Sequence, residues 1–400
     1  MSLITLARIR AAAEVLAGVL SPTPIEQSAA CSVLAGGQVV LKCEHLQRTG
    51  SFKVRGAFAA MAQLDPAARA RGVVCASAGN HAQGVAFAAQ RLGVPATVVM
   101  PEQAALPKVE ATRAYGAEVV LAGQTFDDAY EVSRVHAEAT GATYLHPFDD
   151  LDVIAGQATL GLDILAEVPD VATIVVPIGG GGLAAGVASA VRLTRPGVRV
   201  VGVQAEGAAA FPPSLAAGAP RTLPEVRTFA DGIAVRRPGV LTLAHVAARV
   251  DEVVTVSDED IARAVLLLVE RAKQVVEPAG AAGLAALLSG AAEVPFPAVA
   301  VLCGGNVDPL LLSRILQSGM FEEGRFFALR TALADRPGAL GDLLTVLATE
   351  RANILSITHH RMRTRLGVTE VEVELELETR GPEHIAAVLA ALRAASYPVR

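Results

Sequence analysis

Lys53 stands in the segment Gln47-Arg48-Thr49-Gly50-Ser51-Phe52-Lys53-Val54-Arg55-Gly56-Ala57, between two glycines and among small neighbours. Glycine lets backbone come close to a flat ligand, and an apolar setting lowers a lysine pKa until the amine becomes a nucleophile. A surface lysine in a loop is the plain alternative, and composition alone favours it. Elimination among the four lysines argues the other way. Lys108 and Lys273 fall in helical stretches with charged or polar neighbours, and Lys42 ends an apolar run. Only Lys53 has glycine-flanked loop chemistry around it.

Four more segments carry candidate chemistry. Ser77-Ala78-Gly79-Asn80-His81 follows an apolar run and opens a helical stretch. A helix start offers N–H groups to an anion, while simple capping by Ser77 or Asn80 is an equally good reading. Gly179-Gly180-Gly181-Gly182-Leu183 follows another apolar run. Four consecutive glycines are costly in ordered backbone, and cradling a phosphate with successive N–H groups is the leading reason to keep them. A dinucleotide site with Glu206 as the ribose-binding acid is the rival reading, although the glycines are contiguous and do not follow G-x-G-x-x-G. Cys303-Gly304-Gly305-Asn306 ends the last apolar run, at the strand end where open α/β sheets bind ligands, or else holds an inert buried thiol. Glu277-Pro278-Ala279-Gly280 opens a helix, where an acid often only offsets the dipole. There is no convincing Ser-His-Asp order, HExxH helix or paired carboxylate.

These segments need a scaffold that repeats strand, turn and helix. Apolar runs at 73–76, 96–100, 118–121, 173–178, 198–204 and 298–303 are nearly continuous, as strands buried on both faces are, and predict parallel sheets covered by helices. Helical periodicity fits 82–92, 108–115, 126–138, 154–167, 183–193, 258–273 and 280–288. The stretch 208–238, rich in Pro, Gly and Ala, reads as loop. Past Gly324 the texture changes. A strand at 326–334, a turn at Asp335-Arg336-Pro337-Gly338, a helix to Glu350, a strand at 353–359, a strictly alternating strand at 370–378 and a helix at 383–395 give the order βαββα. A short tail at Pro398 has room to start one more strand. The sequence therefore predicts two domains, 1–322 and 323–400.

Composition sets the outer limits. The chain has 400 residues, is 52% hydrophobic and 18% charged, and carries a formal net charge of −6. It can bury a large core, and it lacks the basic footprint of a nucleic-acid binder or a polybasic membrane patch. The four cysteines, Cys31, Cys43, Cys75 and Cys303, form no CxxC and no zinc-like spacing, which suggests reduced thiols in a cytoplasmic protein. Residues 1–20 read as an amphipathic first helix, because Glu14 breaks the apolar run and Thr23-Pro24 stands where a leader would be cleaved. The apolar window 281–303 holds Glu293, Pro295 and Pro297, and so reads as helix, loop and buried strand rather than a membrane span.

The five segments occur in one order, and together they resemble the pyridoxal-phosphate enzymes of the threonine dehydratase and serine racemase group over roughly residues 5–320. The Arg336-Pro337-Gly338-Ala339-Leu340 turn and the βαββα order resemble an ACT regulatory domain. The joint layout is similar to threonine ammonia-lyases with one ACT domain. The resemblance implies an α/β catalytic domain of pyridoxal-phosphate fold type II, with two open, mostly parallel sheet subdomains, the smaller at about 46–145, and a C-terminal α+β βαββαβ domain.

It further implies that Lys53 carries pyridoxal 5'-phosphate covalently and takes the substrate Cα proton. Gly179, Gly180, Gly181, Gly182 and Leu183 would hold the phosphate, Phe52 would pack on the ring, and Asn80 and Glu277 would join the cofactor site. Ser77, Ala78, Gly79, Asn80 and His81 would gather the substrate carboxylate and the ring oxygen. Cys303 would face the pyridine nitrogen, where a neutral thiol leaves the ring a weaker electron sink than a carboxylate would and favours rapid β-elimination. Ala78 has no exchangeable proton, where the racemases tend to have a serine, so deamination should dominate over racemisation. The implied reaction converts L-threonine to 2-oxobutyrate and ammonia, and L-serine less well; a serine racemase or another hydroxy-amino-acid dehydratase of the same fold is the alternative. An amino-acid effector, isoleucine or valine, is expected at the ACT-like domain, in a homodimer or homotetramer. No metal ligand set is expected, since Gly207 to Pro212 adds no carboxylate to Glu206.

Overall fold

The computed structural model describes residues 2–360 and 369–399. Contacts divide the chain into two compact units, Met1–Asp308 and Pro309–Arg400.

The strands of the first unit are, in chain order, β1 (Ile25–Gln27), β2 (Val39–Lys42), β3 (Val73–Ala76), β4 (Ala96–Met100), β5 (Glu118–Leu121), β6 (Thr143–Tyr144), β7 (Thr173–Pro177), β8 (Arg199–Ala205), β9 (Glu252–Val256) and β10 (Ala298–Val301). They form a six-stranded sheet in the order β1-β2-β10-β7-β8-β9 and a four-stranded sheet in the order β5-β4-β3-β6. Only β1 with β2 is antiparallel; the other pairings are parallel. The smaller sheet is built wholly from the chain between β2 and β7. Every residue of β3, β7 and β10 is buried, as continuous apolar runs require when helices cover both sheet faces. The six strands expected from apolar runs are all present. The terminal helix is Leu6–Leu16, with Ile9, Ala12 and Leu16 on its buried face.

Three local expectations are corrected. The stretch 208–238 is not all loop: Phe211–Ala217 is a helix, with Pro212 and Pro213 in its first turn, where a missing N–H costs nothing. Lys53 is not in a loop either; it is the first residue of the helix Lys53–Ala62. Its neighbour Gly56 serves close packing rather than a turn. A Cβ on Gly156, in the helix Leu151–Glu167, would lie 2.5 Å from the Arg55 carbonyl oxygen and 2.7 Å from the Gly56 Cα, so the two helices cross at a glycine pair. Lys273 ends its helical stretch in the left-handed conformation, with φ 58°.

In the second unit, the helix Pro309–Glu322 leads into β11 (Phe326–Ala334), the helix Ala339–Thr349, β12 (Asn353–His360), β13 (Glu370–Glu378) and the helix Pro382–Ala394. The sheet is antiparallel in the order β11-β13-β12. Along β13, Val371, Val373, Leu375 and Leu377 are buried against Leu343, Leu347, Val388 and Leu392, while the alternating glutamates face outward. Val399 bridges to Thr331, so the tail adds the start of a further strand.

Candidate active site

The lysine segment and the cysteine strand end are stitched together by backbone. Phe52 N–H donates to the Cys303 carbonyl at 3.1 Å, Gly305 N–H to the Gly50 carbonyl at 2.9 Å, and Ser51 bridges Gly304. This pairing sets Lys53 and Cys303 on one cleft. Its walls include Phe52, Lys53, Asn80, Gly179 to Leu183, Glu277 and Cys303. About 420 Å³ of space lies between these walls, open solvent at the mouth included.

Lys53 Nζ donates to the Pro147 carbonyl at 3.1 Å and lies 5.2 Å from the Phe52 ring centroid. Burial pulls its pKa from 10.5 down to about 8, and the Glu277 carboxylate acts against that shift. The other lysines are engaged elsewhere. Lys42 is buried and donates to the Thr23 carbonyl and Glu167, Lys108 pairs with Asp231 at 3.0 Å, and Lys273 donates to the Glu270 carbonyl.

At pH 7 a pKa of about 8 leaves roughly 9% of the amine neutral, against about 0.03% for an ordinary lysine, a gain of about 300-fold in nucleophile and base. In competitive acetylation of the cofactor-free protein, Lys53 reactivity is therefore expected to rise about tenfold per pH unit below pH 8 and to level off above it. With four lysines in the chain, peptide mass spectrometry resolves each one. A Lys53 midpoint near 10 would contradict the assignment.

The glycine run forms another wall. Gly181 has φ 95° and caps the helix Gly182–Thr194, and no side chain caps that start. A Cβ at Gly180 would overlap the Phe148 ring, and one at Gly181 would lie 2.5 Å from Phe211 Cζ. Thr242 Oγ1 donates to the Gly180 carbonyl at 2.7 Å and fixes the loop from behind. A bare, uncapped helix start at a cleft suits a phosphate.

The third wall is the start of the helix Asn80–Leu92. Neither expected cap forms there. Ser77 Oγ accepts from Gly79 N–H at 3.2 Å, Asn80 turns its amide to Glu277 at 2.7 Å, and the Gly79 N-cap supplies no side chain. Ser77, Ala78, Gly79 and Asn80 are partly exposed there. His81 departs from the group: it is buried, its Nε2–H donates to the Leu145 carbonyl at 3.0 Å, and burial with the nearby Lys53 charge pushes its pKa down to about 3. It is a neutral anchor for the segment.

Glu277 and Cys303 are both buried. Burial, with the field of Asp231, lifts the Glu277 carboxyl to about 7, against the opposing Asn80 hydrogen bond. Burial and Glu277 also raise the Cys303 thiol, whose Sγ faces the Ala279 carbonyl at 3.7 Å. The thiol is therefore neutral at physiological pH. Glu206 is exposed and outside the cleft walls, which removes support from the dinucleotide reading. Among the described residues, no three His, Cys, Asp or Glu side chains converge to hold a metal.

Two site residues were not legible beforehand. Phe148 packs on Gly180 and Gly182 from the His146-Pro147-Phe148-Asp149 turn, where Asp149 accepts the Val240, Leu241 and Thr242 N–H groups. An aromatic beside proline was the only local signal. Asn306 ends its glycine motif with no local signal of a role; it donates to Asn80 at 2.7 Å.

Residues 16–304 match the family described as pyridoxal-phosphate dependent enzyme, and residues 328–394 match the ACT domain. An L-threonine ammonia-lyase of Thermotoga maritima is 46% identical over 398 residues, covering 100% of this chain and 99% of that protein. A threonine deaminase structure from Solanum lycopersicum, the processed form of isoform 2, superposes with TM-score 0.74 at 35% identity, covering 79% of this chain and 94% of that one. A maize serine racemase structure gives TM-score 0.74 at 36% identity, covering 81% and 100%.

Proposed function

The chain belongs to the pyridoxal-phosphate-dependent enzyme family, and on that footing we propose that it deaminates L-threonine to 2-oxobutyrate and ammonia, and L-serine more slowly to pyruvate. The observation that carries this reading is the Lys53 amine, depressed to about 8, in one cleft with an uncapped glycine cradle and a neutral thiol. The residues present fit pyridoxal phosphate: the Gly179 to Gly182 run brings side-chain-free backbone and an uncapped helix start to the cleft wall, as a phosphate requires.

Gly179 to Leu183 would hold that phosphate, Phe52 would flank the ring, and the Asn80 amide and Cys303 thiol would meet its polar atoms. When bound, the cofactor supplies an electron sink conjugated to the substrate Cα. The uncapped start of the helix Asn80–Leu92 would offer its own N–H groups, and Ser77 its hydroxyl, to the substrate carboxylate. The Lys53 amine, with a usable neutral fraction, takes the Cα proton. Loss of the β-hydroxyl as water, then hydrolysis of the released enamine, gives the 2-oxo acid and ammonia. Ala78 offers no proton to the opposite face of Cα, which sets the lyase reading above racemisation.

The ACT unit binds a small amino acid, isoleucine or valine, and tunes the catalytic unit in a homodimer or homotetramer that works in the cytoplasm during isoleucine formation. Exposed Leu355 and Ile357 on the edge strand β12 support pairing with a second copy. Among the described residues, no helix is long and apolar enough to cross a membrane.

An assay of 2-oxo acid release over L-threonine, L-serine and D-serine is expected to give the highest kcat/KM for L-threonine, with serine racemisation below a tenth of the deamination rate. Rapid interconversion of L- and D-serine would overturn the proposal.

A further inference from the structure

Asn306 closes the Cys303-Gly304-Gly305-Asn306 turn, and its side-chain amide sits at a junction of three segments. Its Nδ2 lies 2.7 Å from the Thr49 carbonyl oxygen and 2.7 Å from Asn80 Oδ1. A backbone carbonyl can only accept, so Thr49 decides which end of the Asn306 amide is nitrogen. Both Asn306 N–H groups are then committed. Asn80 must turn its oxygen to Asn306 and its nitrogen to Glu277 Oε1, 2.7 Å away.

That leaves one N–H on Asn80, and Asn80 lines the cleft with Lys53 and Cys303. The backbone supports the same arrangement. Thr49 has φ 66° and Gly50 φ 71°, and a Cβ at Gly50 would lie 2.5 Å from Asn306 Oδ1. A β-branched residue rarely adopts that conformation, and here the carbonyl so turned is the one Asn306 reads.

We propose that Asn306 is a positioning residue for the reaction: its two donated hydrogen bonds hold the Asn80 amide nitrogen toward Glu277 and keep the remaining Asn80 N–H available to the cofactor in the cleft. This inference rests on the reading of the cleft as a pyridoxal-phosphate site. Asn306 itself touches neither cofactor nor substrate; it acts through Asn80.

The test is a double-mutant cycle read by pyridoxal-phosphate affinity of the cofactor-stripped full chain, titrated by absorbance. Asn306→Ala is expected to weaken binding at least about tenfold in the parent and less than about twofold in an Asn80→Ala background. Asn306→Asp, which keeps the shape but cannot donate to Thr49, is expected to lose at least as much as Asn306→Ala. A purely structural role would lower the melting temperature and weaken binding equally in both backgrounds, and that outcome overturns the inference, as does unchanged affinity in the parent. If Asn306→Ala does not fold, Asn306→Ser, which keeps one donor, runs through the same cycle with a smaller expected loss. Failure of the parent protein to take up pyridoxal phosphate would overturn the site reading itself; uptake with equal losses in both backgrounds overturns only the role of Asn306.

Discussion

Lys53→Ala is expected to lower threonine deamination by roughly 10⁴-fold, the scale lost with a group that serves as both nucleophile and base. The fold should survive it. Lys53 is the first residue of its helix, alanine is the best helix former, and removing a buried amine relieves a desolvation cost. Lys53→Arg is expected to fail as badly, because guanidinium stays protonated at any working pH. Added methylamine should restore part of the Lys53→Ala activity and none of the Lys53→Arg activity, where the longer side chain fills the space. Steady-state kinetics with circular dichroism checks all three results. Residual activity above a tenth in either variant would mean that another residue moves the Cα proton.

Arg55→Met is expected to cost about 3–5 kcal/mol of stability, since it breaks a buried ion pair on one side only. Arg55 is 2% exposed and Glu44 0%. Arg55 Nε meets Glu44 Oε2 at 2.8 Å and Nη2 meets Oε1 at 2.9 Å, while Nη1 reaches Thr159 at 3.0 Å and Asp163 at 2.8 Å. Burial alone would raise the Glu44 pKa, but Arg55 and the Thr23 hydroxyl outweigh it and hold the carboxylate below its ordinary value. Without Arg55, burial prevails and the folded-state pKa rises above the unfolded one. A group shifted that way favours the native state at low pH and loses that contribution as pH rises through the folded pKa. The deficit of Arg55→Met should therefore be larger at pH 8 than at pH 5 when measured by denaturant unfolding. Adding Glu44→Gln should recover part of it. A loss under about 1 kcal/mol would contradict this view of the pair. The pair matters for chemistry because Arg55 clamps the first turn of the helix that carries the Lys53 amine.

Much of this was legible because burial leaves a mark on sequence. Strands covered on both faces must be nearly continuous in apolar residues, and 73–76, 96–100 and 173–177 are, with Thr97 and Thr173 the polar exceptions. The glutamate ladder of β13 showed its wet face by period 2. Lys53 stood apart from its rivals by its flanking glycines, although the loop expected around it is a helix start. What stayed hidden depends on partners distant in sequence. Gly56 looked like a loop glycine, and only the crossing helix with Gly156 explains it. Pro212 and Pro213 look alike in a loop and in a first helical turn, so the helix Phe211–Ala217 was missed. β9 starts with an exposed Glu252 and only Val256 is buried, so the edge strand lacked the continuous apolar signature. His81 carries the same letter whether it faces substrate or the Leu145 carbonyl. Phe148 and Asn306 reach the site across more than thirty and more than two hundred residues respectively, beyond any local spacing.

The most direct measurement is borohydride reduction of the purified holoenzyme followed by peptide mass spectrometry. The account predicts one pyridoxyl-phosphate mass tag per chain, on Lys53, with loss of the visible absorbance and of threonine deamination in the same proportion. A tag on Lys42, Lys108 or Lys273, or an active protein that reduction neither tags nor bleaches, would contradict it.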